Sequence, residues 1–154
     1  MQHELHFRRA TIEDLPAIVH MLANDPLGAT REQYTDVLSE NYINAFHIID
    51  ADKHQELTIV ELNGEPVATF HLSFIQYLTH HGGLRAQIEA VRTDARYRNQ
   101  GIGKKVFAYA INRAKERGCV LVQLTTDKQR PDAIRFYENL GFTATHEGMK
   151  LKLQ

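Results

Sequence analysis

Gln87 to Arg117 reads QIEAVRTDARYRNQGIGKKVFAYAINRAKER, with Arg98-Asn99-Gln100-Gly101-Ile102-Gly103-Lys104 at its centre. Before the centre, Ile88 and Ala90 alternate with polar residues as in a strand. After it, Ile102, Val106, Phe107, Ala110, Ile111 and Ala114 recur at helical spacing. The glycines therefore fall on a strand-to-helix turn. A helix start leaves backbone N–H groups without intrahelical partners, and the aligned peptide dipoles add partial positive charge there. Gly101 and Gly103 lack the side chains that would keep an anion from those amides, and Arg98, Lys104 and Lys105 add full charges nearby.

Spacing limits what the anion can be. A Walker A loop needs glycine where Arg98 stands and a hydroxyl residue where Lys105 stands. A dinucleotide fingerprint needs a third glycine at Val106. What remains is Arg-x-x-Gly-x-Gly, either a phosphate loop or ordinary packing punctuation before a helix.

The chain of 154 residues is the size of one domain, 1–154, and 43% hydrophobic with 24% charged residues excludes disordered and coiled-coil classes. A formal net charge of −1 gives no general electrostatic reason to expect nucleic acid or an anionic membrane surface, so any phosphate site is local. Cys119 is the single cysteine, which rules out an internal disulfide. No apolar segment approaches the roughly 20 residues that span a bilayer, and Met1–Glu4 has no leader pattern, so a cytoplasmic location is expected.

In chain order, Leu5–Arg9 reads as a strand. Thr11-Ile12-Glu13-Asp14 reads as a capping box opening a helix with Ile12, Leu15, Ile18, Val19 and Leu22 on one stripe. Thr30 and Gln33 signal a second helix carrying Tyr34, Val37, Leu38 and Tyr42, while 45–50 is ambiguous. Residues 56–62 and 66–76 read as strands joined by Asn63-Gly64, a strong hairpin signal. A loop with His80-His81, read as solvated and not as metal ligands, precedes a fourth strand, Leu84–Thr93. After the glycine-led helix come a fifth strand at 119–126, a helix from Pro131 to Leu140, and short strands at 142–144 and 149–153. The expected class is α+β: a mixed, mostly antiparallel sheet of six to seven strands with about four helices.

Asp132 to Phe142, DAIRFYENLGF, is a second landmark. With Arg98–Gly103, its Ala133-x-x-Phe136-Tyr137-x-x-x-Gly141-Phe142 pattern resembles the GCN5-related N-acetyltransferases (the GNAT superfamily). The resemblance is nearest to aminoalkylphosphonate N-acetyltransferases, through His71-Leu72-x-Phe74 and Thr125-Thr126-Asp127-Lys128-x-Arg130, and covers roughly residues 60–153. Asp127 departs from the Asn of many relatives, and Gln87 stands where that group has a strand Glu proposed as base.

The resemblance implies a sheet splayed between strands 4 and 5, with acetyl-CoA as co-substrate and a small-molecule amine attacking directly in a ternary complex. It places the pyrophosphate on Arg98, Asn99, Gln100, Gly101, Ile102, Gly103 and Lys104. The pantetheine arm falls along Val91, Arg92 and Thr93, with Asp127 and Ala133 also at the cofactor. A backbone N–H near Val91, freed by a bulge, would face the thioester oxygen. Tyr137 would protonate the departing thiolate. An alkyl amine of pKa about 10.4 costs about 4.6 kcal/mol to neutralise at pH 7, at about 1.36 kcal/mol per pKa unit, so a base or water chain is needed.

Glu89 is the candidate base, acting directly or through water, although Gln87 and Glu89 share a face that is either cleft or exterior. His71 and Glu147 are lesser candidates; a lone strand histidine also serves structure. Arg85 and Arg92 are either solvated strand charges or part of an anionic acceptor's pocket, and Cys119 reads as core. A homodimer is expected because sheets of this kind leave edges. The rival readings are a protein or peptide acetyltransferase and a non-catalytic CoA-binding regulatory module.

Overall fold

The computed structural model describes residues 4–130 and 132–154. In chain order these form β1 (Leu5–Arg9), a 3-10 turn (Ile12–Asp14), α1 (Leu15–Ala23), α2 (Gly28–Arg31), α3 (Glu40–Ala51), β2 (Gln55–Leu62), β3 (Glu65–Gln76), α4 (Thr79–Gly82), β4 (Leu84–Thr93), a second 3-10 turn (Ala95–Tyr97), α5 (Ile102–Glu116), β5 (Leu121–Gln123) and α6 (Ala133–Asn139). They divide into two compact units, Met1–Gln123 and Leu124–Gln154.

The first unit holds one sheet in the order β1-β2-β3-β4-β5. The first three pairings are antiparallel and β4 with β5 is parallel, so the sheet is mixed and mostly antiparallel as expected. The hairpin between β2 and β3 turns on Asn63 at φ 52° and Gly64 at φ 80°, as its sequence predicts.

Side-chain alternation gives the sheet two covered faces. On one, Phe70 meets Tyr109 of α5 edge-on at 6.0 Å, and Tyr109 stacks on Phe7 at 4.4 Å. Val106, Phe107 and Ala110 form the buried stripe of that helix. On the other face, Leu15, Ile18, Val19 and Met21 of α1 and Phe46 of α3 share a core cluster with Ala10 and Ile59. The start of α1 is tied to the sheet by charge: Arg8 donates to Asp14 at 2.7 and 2.8 Å and to Glu61 at 2.7 Å, which lowers the Asp14 pKa. As the capping signature predicts, the Thr11 N–H donates to Asp14 Oδ2 at 2.8 Å.

Two parts of the expected architecture are corrected. The described residues contain five strands and six helical segments, not six to seven strands with about four helices. The segments 142–144 and 149–153 carry no ladder, and Met149, Leu151 and Leu153 stand exposed, so their alternation has no apolar surface that would hold them as strands. The fifth strand is confined to Leu121–Gln123.

The second correction concerns the helix expected from Thr30. Thr30 lies inside the short α2, and the longer helix begins after Ser39, whose Oγ accepts the Asn41 N–H at 3.3 Å. Tyr42, Ile43, Phe46 and Ile49 are the helical repeat, which includes the ambiguous stretch, while Val37 is exposed. Gly28 sets the abrupt turn before it. A Cβ there would lie 1.8 Å from the Leu22 carbonyl oxygen.

Candidate active site

The turn before α5 has the shape its sequence suggests. Asp94 accepts the Arg96 N–H at 2.9 Å to open the 3-10 turn, then Asn99 and Gly101 take left-handed conformations at φ 62° and 79°. Gly101 is the N-cap residue of α5 and no side chain caps that helix. A Cβ at Gly101 would meet nothing within 4 Å. The helix is held from below by Ile102, which is buried, while Gln100 and Gly101 are exposed. Uncapped amides, open space and Lys104 together fit a diphosphate.

Arg98 is engaged by the backbone around the turn. Its Nη2 donates to the Asn24 carbonyl at 2.8 Å and its Nε to the Thr93 carbonyl at 3.4 Å, so it ties the turn to the ends of α1 and β4. Gln100 donates to the Arg96 carbonyl at 3.4 Å within the same turn. Arg92 is held by the Val91 carbonyl at 2.9 Å and lies 3.9 Å from Asp25. Asp25 in turn accepts the Gly28 N–H at 2.9 Å.

β4 carries a bulge at Ala90 and Val91. Thr69 pairs with Arg92 and His71 with Glu89, so Phe70 of β3 faces both Ala90 and Val91. Ala90 adopts φ 53°, a left-handed conformation costing an L-residue about 1–3 kcal/mol and held only where surroundings enforce it. The ladder to β5 ends at Gln87 with Gln123, and β4 continues to Thr93 beyond it. This early end of the parallel ladder fits a sheet opening between these strands.

Cross-strand register resolves the face of Glu89. Ser73 pairs with Gln87 and His71 with Glu89, which places all four on the side covered by α1 and α3. Gln123 donates to Gln87 at 3.0 Å, and Gln87 donates to Glu89 at 2.6 Å. Glu89 itself is exposed. On this side lies a cavity of about 130 Å³, walled by Leu15, Ile18 and Leu22 of α1, Tyr42 and Phe46 of α3, and Thr69, His71 and Ala90 of the sheet. No lysine, arginine or carboxylate lines it.

His71, a lesser candidate base in the sequence, lines this cavity. It is half-buried, Gln55 Oε1 lies 2.8 Å from its Nε2, and burial lowers its pKa while Glu89 opposes that shift. The signal lies in a contact between neighbouring strands, which no local motif encodes. Arg85 is not in the cavity wall; it donates to Thr79 at 2.8 Å and stacks on the Tyr77 ring at 4.4 Å. Burial raises the Cys119 pKa, which makes it a poor nucleophile at neutral pH.

In the second unit, Tyr137 sits on α6 between Phe136 and Phe142, ring centroids 5.4 and 6.1 Å away, both edge-on. Asp127 accepts the Gln129 N–H at 2.9 Å and, through its carbonyl, the Arg130 N–H at 3.0 Å, forming the turn that leads into α6. The Ala133 N–H donates to the Arg130 carbonyl at 3.3 Å. The predicted helix start at Pro131 lies outside the described residues. Glu147, a lesser candidate base, lies 3.7 Å from Lys128, and both are exposed.

Comparison with known proteins agrees with this arrangement. Residues 18–142 match the model of the acetyltransferase (GNAT) family. The aminoalkylphosphonate N-acetyltransferase of Salmonella typhimurium is 31% identical over 102 residues, 66% of this chain and 64% of that relative's length. A crystal structure described as a transcriptional regulator from Bacillus halodurans superposes with a TM-score of 0.95 at 51% identity, covering 97% of this chain and 100% of that one. A predicted acetyltransferase from Clostridium acetobutylicum, solved with acetyl-CoA, has the same fold at a TM-score of 0.75 and 24% identity, covering 97% of each chain. With the glycine turn, the bulged strand and a family match over most of its length, the chain belongs to the GNAT acetyltransferase family.

Proposed function

We propose that the protein is an acetyl-CoA-dependent N-acetyltransferase, one domain over 1–154, acting on a primary amine of a small molecule. The observation that carries this reading is the left-handed Ala90 in a strand bulge that borders a mostly apolar cavity. Residues held in such conformations cluster at active sites and ligand clamps.

Acetyl-CoA supplies the activated thioester. The amides of Ile102, Gly103 and Lys104, opened by Gly101, hold its diphosphate, with Asn99 and Gln100 shaping the turn and Arg98 keeping it in place. The β4 edge at Val91, Arg92 and Thr93 offers backbone groups to the pantetheine arm. The bulge leaves an N–H near Val91 outside the ladder as a donor to the carbonyl oxygen. Asp127, Ala133 and Tyr137 are assigned by resemblance of their segment: the first two to the cofactor, Tyr137 to protonating the thiolate.

The cavity takes the body of the amine. At about 130 Å³ it suits a group the size of a benzene ring or a short aliphatic chain. Its lack of lining cations favours a hydrocarbon tail over the phosphonate of the Salmonella relative's substrate class. An apolar wall also disfavours the ammonium form, which promotes the neutral nucleophile.

The experiment is an amine panel spanning aralkyl and alkyl amines, aminoalkylphosphonates, polyamines, amino acids and a lysine-rich protein, with free CoA detected by a thiol reagent. Turnover with uncharged-tail amines, and little with phosphonates, is expected. Turnover only with protein lysines refutes the small-molecule reading. The second reading, a CoA-binding regulatory module without turnover, is favoured by the 51% identical structure described as a transcriptional regulator. Acetyl-CoA binding with no turnover across the panel would establish it.

A further inference from the structure

The His71 ring is set by a chain of contacts that begins outside the cavity. Asp52 caps the turn between α3 and β2: its Oδ1 accepts the His54 N–H at 2.8 Å and its Oδ2 accepts the Gln55 side-chain Nε2–H at 3.0 Å. These bonds lower the Asp52 pKa, and an ionised carboxylate can only accept. The Gln55 amide is therefore oriented with its NH2 toward Asp52 and its carbonyl toward His71. That carbonyl Oε1, 2.8 Å from His71 Nε2, also can only accept, so Nε2 carries the hydrogen. In the neutral ring the lone pair then sits on Nδ1.

We propose that His71 Nδ1 accepts the proton of the attacking amine, with Gln55 and Asp52 as positioning residues that hold the Nε2–H tautomer. This rests on the acetyl-transfer reading above and assigns to His71 the role that Glu89 held in the sequence. His71 lines the cavity beside Ala90, where the amine's tail and the bulge converge, whereas Glu89 is exposed and hydrogen-bonded by Gln87.

The groups facing His71 are few. Glu89 stands opposite on β4; Tyr42 comes from α3, with its hydroxyl donating to Glu32 at 2.6 Å; α1 contributes Leu15, Ile18 and Leu22. Burial outweighs Glu89 and keeps the ring neutral at pH 7. As the amine lone pair bonds to the acyl carbon, its N–H proton moves to Nδ1 and makes an imidazolium opposite Glu89. The electron pair of the breaking carbon–sulfur bond leaves on sulfur, which takes the proton assigned above to Tyr137; the imidazolium gives its proton to water, from which Tyr137 regains one, so the amine's proton ends on the thiol.

Three proteins test this: wild type, His71→Gln and Gln55→Leu. Long-range proton–nitrogen spectra of the ligand-free protein at pH 7.5 should show the Nε2–H pattern for His71, lost in Gln55→Leu. For the wild type, kcat/KM should rise with pH through a limb below about 6.5, the ordinary histidine value. His71→Gln should lose that limb and about 100-fold in rate. Gln55→Leu should lose at least about tenfold, as a freed tautomer does in other histidine bases. Acetyl-CoA Kd should hold in both variants, and both should remain folded at the assay temperature by Tm. An active wild type whose His71→Gln variant stays within threefold and keeps the limb, or a wild-type ring in the Nδ1–H form, overturns this assignment alone. A wild type with no amine-dependent turnover overturns the acetyl-transfer reading and this one with it.

Discussion

Replacing Ala90 by glycine separates backbone strain from packing. At φ 53° the alanine sits in a region about 1–2 kcal/mol above the right-handed one for a residue with a Cβ. Glycine removes that penalty but adds about 0.4–1 kcal/mol of unfolded-state entropy. Ala90→Gly is therefore expected to be neutral or to stabilise by up to about 1.6 kcal/mol, a Tm gain of no more than about 6 °C for a chain of this size. Ala86, four residues earlier in the same strand, pairs regularly with Phe74 and is fully buried. There the same change should cost about 1 kcal/mol. Ala90→Val should lose about 2–3 kcal/mol, because a β-branched residue is an outlier at positive φ. Urea unfolding of the three variants, each compared at constant m-value, gives the numbers. Equal destabilisation by glycine at 86 and 90, or a valine at 90 with wild-type stability, would refute the bulge geometry on which the site is built.

Further perturbations test the remaining parts. Gly101→Ala should lower stability by about 1–2 kcal/mol in urea unfolding, because alanine at φ 79° is strained although the space itself is open, and acetyl-CoA binding, read by calorimetry, should weaken to the extent that the turn relaxes away from that φ. Tyr137→Phe should lower kcat about 100-fold with acetyl-CoA binding intact if it protonates the thiolate, read by stopped assays of CoA release. Asp14→Asn should cost about 1.5–3 kcal/mol at pH 7 by leaving Arg8 short of a charged acceptor. Because the folded Asp14 pKa is depressed, its contribution is complete above about pH 4, the unfolded value, and disappears as pH falls through the folded one. The wild type should thus lose stability below pH 4 more steeply than Asp14→Asn in chemical unfolding.

What the sequence revealed was local. Gly101 and the apolar repeat from Ile102 to Ala114 specify a turn and a helix from neighbours only, and Asn63-Gly64 specifies a hairpin from two residues; both appear as read. The bulge was anticipated from resemblance, and it took cross-strand register to place it at Ala90. α3 was misplaced because Thr30 and Gln33 mimic a cap, whereas Ser39 is the one followed by an apolar repeat that finds a core. Alternation alone did not make strands of 149–153, since ladders need a partner. The Asp52–Gln55–His71 chain joins a turn to a neighbouring strand, so its chemistry emerges only once β2 and β3 are side by side.

The guanidinium of Arg98 is bonded to the carbonyls at the ends of α1 and β4 and so joins the two proposed binding regions. α1 also forms one wall of the apolar cavity, so the Asn24 carbonyl and Arg98 physically link that wall to the glycine turn. Two ligands that share one mechanical strut feel each other reciprocally: whatever the first does to the second's affinity, the second returns in equal measure.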